Sequence, residues 1–336
     1  MFLKNIRLTA MLGLILMLLI PAYTQAGKGK KSLNLPQGQP VLWQDPGNIS
    51  SKDLYHGPGS KETIPTGSFK FIKDDTSGSQ PKFIIEDSQG VRWKVKLGRE
   101  AQPETAATRL LWAVGYFTDE TYYLPKIYVE GIEKYQNELM PSGGVIRGVA
   151  QGARLERVQQ KHKIGSWSWF DNPFVNTKEL DGLKVMMAFI NNWDLKRDNN
   201  VIYYDEAPQQ LHYYVHDLGG TFGKTGGDFD RSRNNLADYE ESRFIETTNE
   251  QDVDFFMRAR PPWFFRIHKS YYQEYANVSK VVKGIPRTHA KWIGGLLAQL
   301  SHRQLADAFY AANYQPAEVE RFVEVLESRI RQLNQL

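Results

Sequence analysis

GLKVMMAFINNWDLKRDNNVIYYDEAPQQLHYYVHDLGGTFG, residues Gly182 to Gly223, decides how the rest of the chain is read. Leu183 to Ile190 is almost wholly apolar, as a helix buried on all sides would be. A charged loop follows, Asp194-Leu-Lys-Arg-Asp-Asn199. Val201 to Tyr204 and Leu211 to Val215 then read as two strands around the turn Asp205-Glu-Ala-Pro-Gln-Gln210. Antiparallel strands return the chain to its start, so this hairpin brings Asp217 back beside Asn199. The glycines at 219 and 220 let the backbone turn away while the carboxylate of Asp217 stays at the strand end.

The loop sets a carboxylate, an ammonium and a carboxamide within six residues. Phosphoryl transfer needs an aligner for the attacking hydroxyl, a cation on the moving phosphate, and oxygen ligands for a divalent ion. Asp194, Lys196 and Asn199 match those needs in that order. A solvated helix-to-strand turn uses the same residue types, so the loop alone does not decide the matter. Asp217 adds a second carboxylate, and Lys96 and Glu104 add a third element further up the chain. Lys96 closes a strand and Glu104 lies in the first turn of the next helix. A strand lysine aimed into a cleft binds phosphate oxygens as a point charge, and a helix glutamate can hold its stem. The alternative is an exposed surface pair worth about 0–1 kcal/mol. Lys94 shares the strand face, and Lys96 is preferred for its place at the strand end.

Around these residues the chain divides by pattern. Phe69 to Lys73, Lys82 to Glu86 and Val91 to Leu97 read as three antiparallel strands; in the last, Val91, Trp93, Val95 and Leu97 alternate with Arg92, Lys94 and Lys96. Pro103 opens a helix that Gly115 ends, and Tyr122 to Glu130 and Gly144 to Val158 continue the strand signal. Beyond Gly227 the spacing is helical, over His289 to Leu300, Ser301 to Ala312 and Gln315 to Leu333. Two histidines, His212 and His216, are four apart but on a strand, where they share a face without converging; His216 reads as a packed or hydrogen-bonded neighbour of Asp217.

The order strand lysine, helix glutamate, D-L-K-x-x-N, hairpin, D-L-G resembles the protein-kinase-like fold, and the helix from Pro103 to Gly115 is similar to its atypical branch of lipid-kinase-like, HipA-like and secretory kinases. The resemblance implies an α+β, bilobal architecture with a strand-rich N-lobe over 55–158 and a helix-rich C-lobe over 159–336. It implies ATP between the lobes, Lys96 on the phosphates, Glu104 orienting Lys96, and Asp194 aligning an acceptor hydroxyl. Lys196 would neutralise the moving group, and Asn199 and Asp217 would ligate Mg²⁺ or Mn²⁺. The sequence departs from the family pattern in several places. Trp193 stands where H-R-D has arginine, Leu218 replaces the Phe of D-F-G, and no G-x-G-x-x-G precedes Lys96. Ser77, Gly78 and Ser79 are the expected phosphate cover, their amides forming an anion nest. Two other activities suit the same fold: a catalytically inactive kinase-like scaffold, and a nucleotidyl (AMP) transferase. The acceptor, a protein or a small molecule, has no readable motif.

Composition sets the outer bounds. The chain has 336 residues, 41% hydrophobic and 12% aromatic, enough for a sizeable core. A formal charge of +4, with no basic stripe interleaved with aromatics, does not suggest a nucleic-acid binder. Lys4 and Arg7 precede the apolar run Met11 to Ile20, which Pro21 breaks, and Thr24 and Ala26 suit a cleavage after Ala26. Residues 1–26 therefore read as a signal peptide, with no stable membrane span after its removal and export to a bacterial periplasm or medium expected. Residues 27–54, rich in Lys, Gly, Ser, Pro and Gln, read as a flexible leader.

Overall fold

The computed structural model describes residues 36–75, 82–132, 138–140, 143–146, 148–159, 161–227, 230–259, 272 and 276–336. These residues fall within one compact unit of mixed α and β structure. Its first half is built of strands: β2 (Phe69–Asp75), β3 (Lys82–Glu86), β4 (Arg92–Lys96), β5 (Thr121–Glu130), β6 (Glu138–Met140), β7 (Gly143–Ile146) and β8 (Val149–Arg157). β2, β3, β4, β8 and β5 pair antiparallel in succession. A short parallel pairing of Phe69 with Val129 and Lys70 with Glu130 joins β2 back to β5. The five strands thus close a ring, which removes the exposed edges an open sheet would leave. One long strand over 144–158, as the pattern suggested, is instead β7 and β8. Gly148, at φ 76°, makes the turn between them.

Period-two alternation decides which side chains fill the ring. Phe83, Ile85, Trp93, Val95, Leu97, Tyr122, Ile127, Ala153 and Leu155 form one buried cluster. The intervening residues, Lys94 and Lys96 on β4 and Arg154 and Glu156 on β8, therefore face outward. Lys96, Arg154 and Glu156 are nevertheless buried and Lys94 partly so, because α1 (Ala101–Ala113) lies across that outer face and the strand end at Val215–Asp217 meets it. α1 begins two residues before Pro103, the residue expected to open it.

The second half carries the helices. α2 (Lys178–Phe189) starts on a Thr177 cap and buries Leu180, Leu183, Val185, Met186, Met187 and Phe189 on all sides. α3 (Leu236–Glu241), α4 (Arg287–Leu297), α5 (His302–Tyr310) and α6 (Pro316–Asn334) surround it, α4 against α2 and α6 against α4 and α5. Arg329 of α6, fully buried, donates to Ala188 O (3.1 Å), Phe189 O (2.8 Å) and Asn191 Oδ1 (3.1 Å), which satisfies carbonyls at the end of α2. A small sheet in the order β1 (Gln39–Val41), β11 (Gln210–Val215), β10 (Asn200–Asp205), β9 (His162–Ser166) lies in the same half. A further sheet holds β12 (Ile245–Thr248), β13 (Asp252–Phe255) and β14 (Ile285–Pro286).

The leader expectation needs correcting from residue 39 onward. β1 pairs in parallel with β11, Gln39 opposite Gln210. Leu42, Ile49 and Leu54 are buried, and Gln304 donates to Ile49 O (2.9 Å) and Lys52 O (3.0 Å). Gln44 N donates to Gly115 O at 2.9 Å, just past the end of α1. Polar composition hid this packing, because one short apolar run, Val41 to Trp43, and the isolated Ile49 and Leu54 produce no period. Residues 1–35, which include the expected signal peptide, lie outside the described residues.

Candidate active site

The site is assembled where three pieces of chain meet: the end of β4 with the start of α1, the loop after α2, and the end of β11. Lys96, 2% exposed, reaches from β4 to Glu104 Oε2 at 2.9 Å. It also donates to Asp217 Oδ1 at 2.7 Å, a residue 121 positions away. A third carboxylate, Glu100 Oε2, lies 2.7 Å from the same ammonium. Burial alone would lower the lysine pKa, but Glu104 and Asp217 outweigh it and hold the ammonium above the usual lysine value. Burial likewise opposes ionisation of Asp217, and Lys96 overrides it, keeping the carboxyl below its usual range. Asp217 takes φ 55°, a left-handed conformation uncommon for a residue with a side chain. Its side chain remains 37% exposed.

The strand register explains why Glu104 is fixed. Lys96 stands directly opposite Arg154, two like charges side by side. Glu104 resolves that conflict with one oxygen on each cation, the second being 3.1 Å from Arg154 Nη2. Arg154 also meets Glu156 at 2.8 Å, and Glu156 meets Lys94 at 2.7 Å. Burial opposes the Glu156 charge, yet Arg154 and Lys94 hold the carboxyl far below its usual range; the same carboxylates raise Arg154. Lys94, the alternative to Lys96, therefore belongs to Glu156. Arg154, Glu156 and Glu100 carried no sequence signal. The first two alternate with core residues in a strand as solvent-facing charges do, and Glu100 precedes the helix motif.

On the other side, Asn192 Oδ1 accepts from Asp194 N at 3.0 Å and Asn199 Nδ2 donates to Asp194 O at 2.7 Å, closing the loop on itself. His216 N donates to Asn199 O at 2.7 Å, which ties the loop to the residue before Asp217. Trp193 N donates to Gly220 O, and a Cβ at Gly220 would stand 3.3 Å from Asp194 Cβ. The Asp194 loop and the Asp217–Gly220 turn are therefore in contact. Lys196 Nζ lies 2.8 Å from Asp194 Oδ1. Asp194, Lys196 and Asn199 thus share one loop, abutting the segment of Asp217, whose carboxylate meets Lys96 and through it Glu104. Ser77, Gly78 and Ser79 fall outside the described residues.

Beside this assembly, Asp119, Glu156 and His216 bring ligand atoms within 4.8 Å of one another. Most of their ligand atoms are already engaged, His216 Nε2 being buried without a hydrogen-bond partner. Both Glu156 oxygens meet cations, and Asp119 Oδ2 lies 2.8 Å from His216 Nδ1. Burial would lower the His216 pKa, but Asp119 raises it above the usual value. With Lys94 and Arg154 alongside, the cluster is charge-balanced without a metal ion. The Asn199 amide nitrogen is engaged by Asp194 O, and the Asp217 side chain is partly exposed.

No family model matches the sequence, and no curated protein matches it. Among solved structures, the chain is similar to the crystal structure of a Helicobacter pylori proinflammatory kinase, CtkA, with 10% sequence identity and a TM-score of 0.46, over 81% of this chain and 98% of that one. With so few shared residues and so low a score, what the chain does has to be read from the geometry of its own side chains.

Proposed function

We propose that this chain is a kinase-like phosphotransferase that moves the γ-phosphate of ATP to a hydroxyl acceptor. One observation carries the reading: Lys96 joins Glu104 of α1 to Asp217 of the D-L-G turn, at 2.9 and 2.7 Å. A lysine fixed by a helix glutamate beside a partly exposed aspartate is the arrangement phosphoryl transfer uses. Lys96 would hold phosphate oxygens, with Glu104, clamped by Arg154, setting where the ammonium points. Asp194 would orient the acceptor hydroxyl and receive its proton, and Lys196, already against Asp194, would meet charge on the transferred group. Asn199 and Asp217 would hold Mg²⁺ or Mn²⁺, which supplies charge neutralisation of the phosphates when bound. The pattern at residues 1–26 supports export as part of the same proposal.

Calorimetry with ATP and Mg²⁺ tests it. The parent chain is expected to bind, and Asp217→Ala to bind at least about tenfold more weakly. Asp194→Ala is expected to keep binding and lose turnover of γ-labelled ATP. A parent that binds no ATP with either ion overturns the proposal, and turnover unchanged in Asp194→Ala overturns the role given to that residue.

A further inference from the structure

We infer that Lys96 and Arg233 form an anion site for a phosphate group, and that Glu100 fills it from within the chain. The inference rests on the phosphotransferase reading for the identity of the anion, and on the following contacts for the site itself. The Glu100 carboxylate bridges two cations from separate parts of the chain. Its Oε2 is 2.7 Å from Lys96 Nζ, and its Oε1 is paired with the Arg233 guanidinium. An anion is thus already seated between a strand lysine and a loop arginine, supplied by the protein itself.

The ammonium of Lys96 has three donors. Three carboxylates, Glu100, Glu104 and Asp217, stand at 2.7, 2.9 and 2.7 Å from it. A phosphate oxygen can reach Lys96 only by replacing one of them. Glu104 is held from its other oxygen by Arg154 and is buried, and Asp217 is the proposed metal ligand. Glu100 is held less deeply: its second partner, Arg233, is 27% exposed where Arg154 is 4%, and at the N-cap position of α1 its side chain makes no capping hydrogen bond to the helix.

Its location suits the exchange. The Glu100 side chain lies across the turn after Asp217, and a Cβ at Gly219 would be 2.6 Å from Glu100 Cβ. Its carboxylate therefore sits over the D-L-G turn, between Lys96 and the residues beside Asp194. Arg233 is kept there by packing as well as charge, its guanidinium 4.9 Å from the ring centre of Trp193, the residue before Asp194. A phosphate displacing Glu100 would inherit both cations, the guanidinium as a fork and the ammonium as a point charge. Arg233 has no counterpart among the motif residues, and no spacing in the sequence marks it.

Calorimetry of the full chain with inorganic tripolyphosphate, without metal, and separately with ATP and Mg²⁺, tests the site. Glu100→Gln, which keeps the shape and removes the charge, is expected to bind tripolyphosphate roughly tenfold or more tightly than the parent. Glu100→Ala should change affinity in the same direction. Adding Arg233→Met to Glu100→Gln is expected to abolish the gain, and Arg233→Lys to keep part of it. The site is overturned if Glu100→Gln and Glu100→Ala bind tripolyphosphate no better than the parent, or if Arg233→Met leaves the gain intact. Equal binding of ATP with Mg²⁺ by parent and Glu100→Gln also removes the site while leaving the phosphotransferase standing. The expected gain with tripolyphosphate, but no preference for ATP with Mg²⁺ over it, keeps the anion site and removes the nucleotide.

Discussion

Replacing Lys96 by methionine isolates the ionic junction on which the site depends. The substitution keeps length and apolar stem and deletes one buried ammonium. Removing one partner of a buried ion pair costs about 3–5 kcal/mol, because the remaining charge is stranded. Here the three carboxylates are not stranded equally. Glu104 keeps Arg154 at 3.1 Å, Glu100 keeps Arg233, and Asp217 is partly open to solvent. The loss should therefore fall at the low end, about 3 kcal/mol at neutral pH. It should shrink when the medium is acid enough to protonate Asp217, whose carboxyl Lys96 holds below its usual range. Urea titrations of parent and variant at pH 7 and at about pH 2.5, below the usual carboxylate range, read as midpoint at constant slope, measure both effects. A loss under about 1 kcal/mol at pH 7 would mean that Lys96 does not join the strands to the D-L-G turn, and the site geometry would fall with it.

Further outcomes follow from the same contacts. Gly115→Ala should cost about 2–4 kcal/mol in urea, since φ is 98° and the new Cβ would lie 2.2 Å from the backbone oxygen of Gln44. Arg329→Met should cost about 2–4 kcal/mol in the same assay, because it leaves the Ala188 and Phe189 carbonyls without the guanidinium. For Glu156, whose folded pKa is depressed, stability is present above the unfolded value of about 4.3 and is lost as pH falls below it. The urea midpoint should thus drop on acidification, and Glu156→Gln should flatten that limb whatever it does to the midpoint itself. A limb equally steep in the variant would show that Glu156 is not among the groups taking up protons.

How far the sequence could be read depended on whether a residue's neighbours were local. β3 was legible from its own residues, Lys82 to Glu86, and the hairpin at 201–215 from alternation around a turn. Lys96, Glu104 and Asp217 stood out because each ends or begins an element and so has a definite place relative to it. Arg154 and Glu156 did not, because outward positions on a strand look like solvent until a helix is laid over them. Arg154 is needed only because the register sets it opposite Lys96, and register across a long connection is not written in either strand alone. Glu100 and Arg233 meet through a contact spanning more than a hundred residues, which no local period encodes. The segment from Gln39 to Leu54 reads as a leader for the same reason: its partners are Gln210 to His212, Gly115 and Gln304.

That segment bears on how the molecule comes together. Emerging amino end first, Gln39–Val41 waits for about 170 further residues before its pairing strand has been synthesised, and loop closure over such a distance is slow. The strap is thus among the late pieces to seat. A molecule caught before that moment, or trimmed by a protease to residue 54, would hold its ionic junction complete while showing β11 with a bare row of amides and carbonyls. Such a molecule would be prone to self-association through that strand rather than to loss of chemistry.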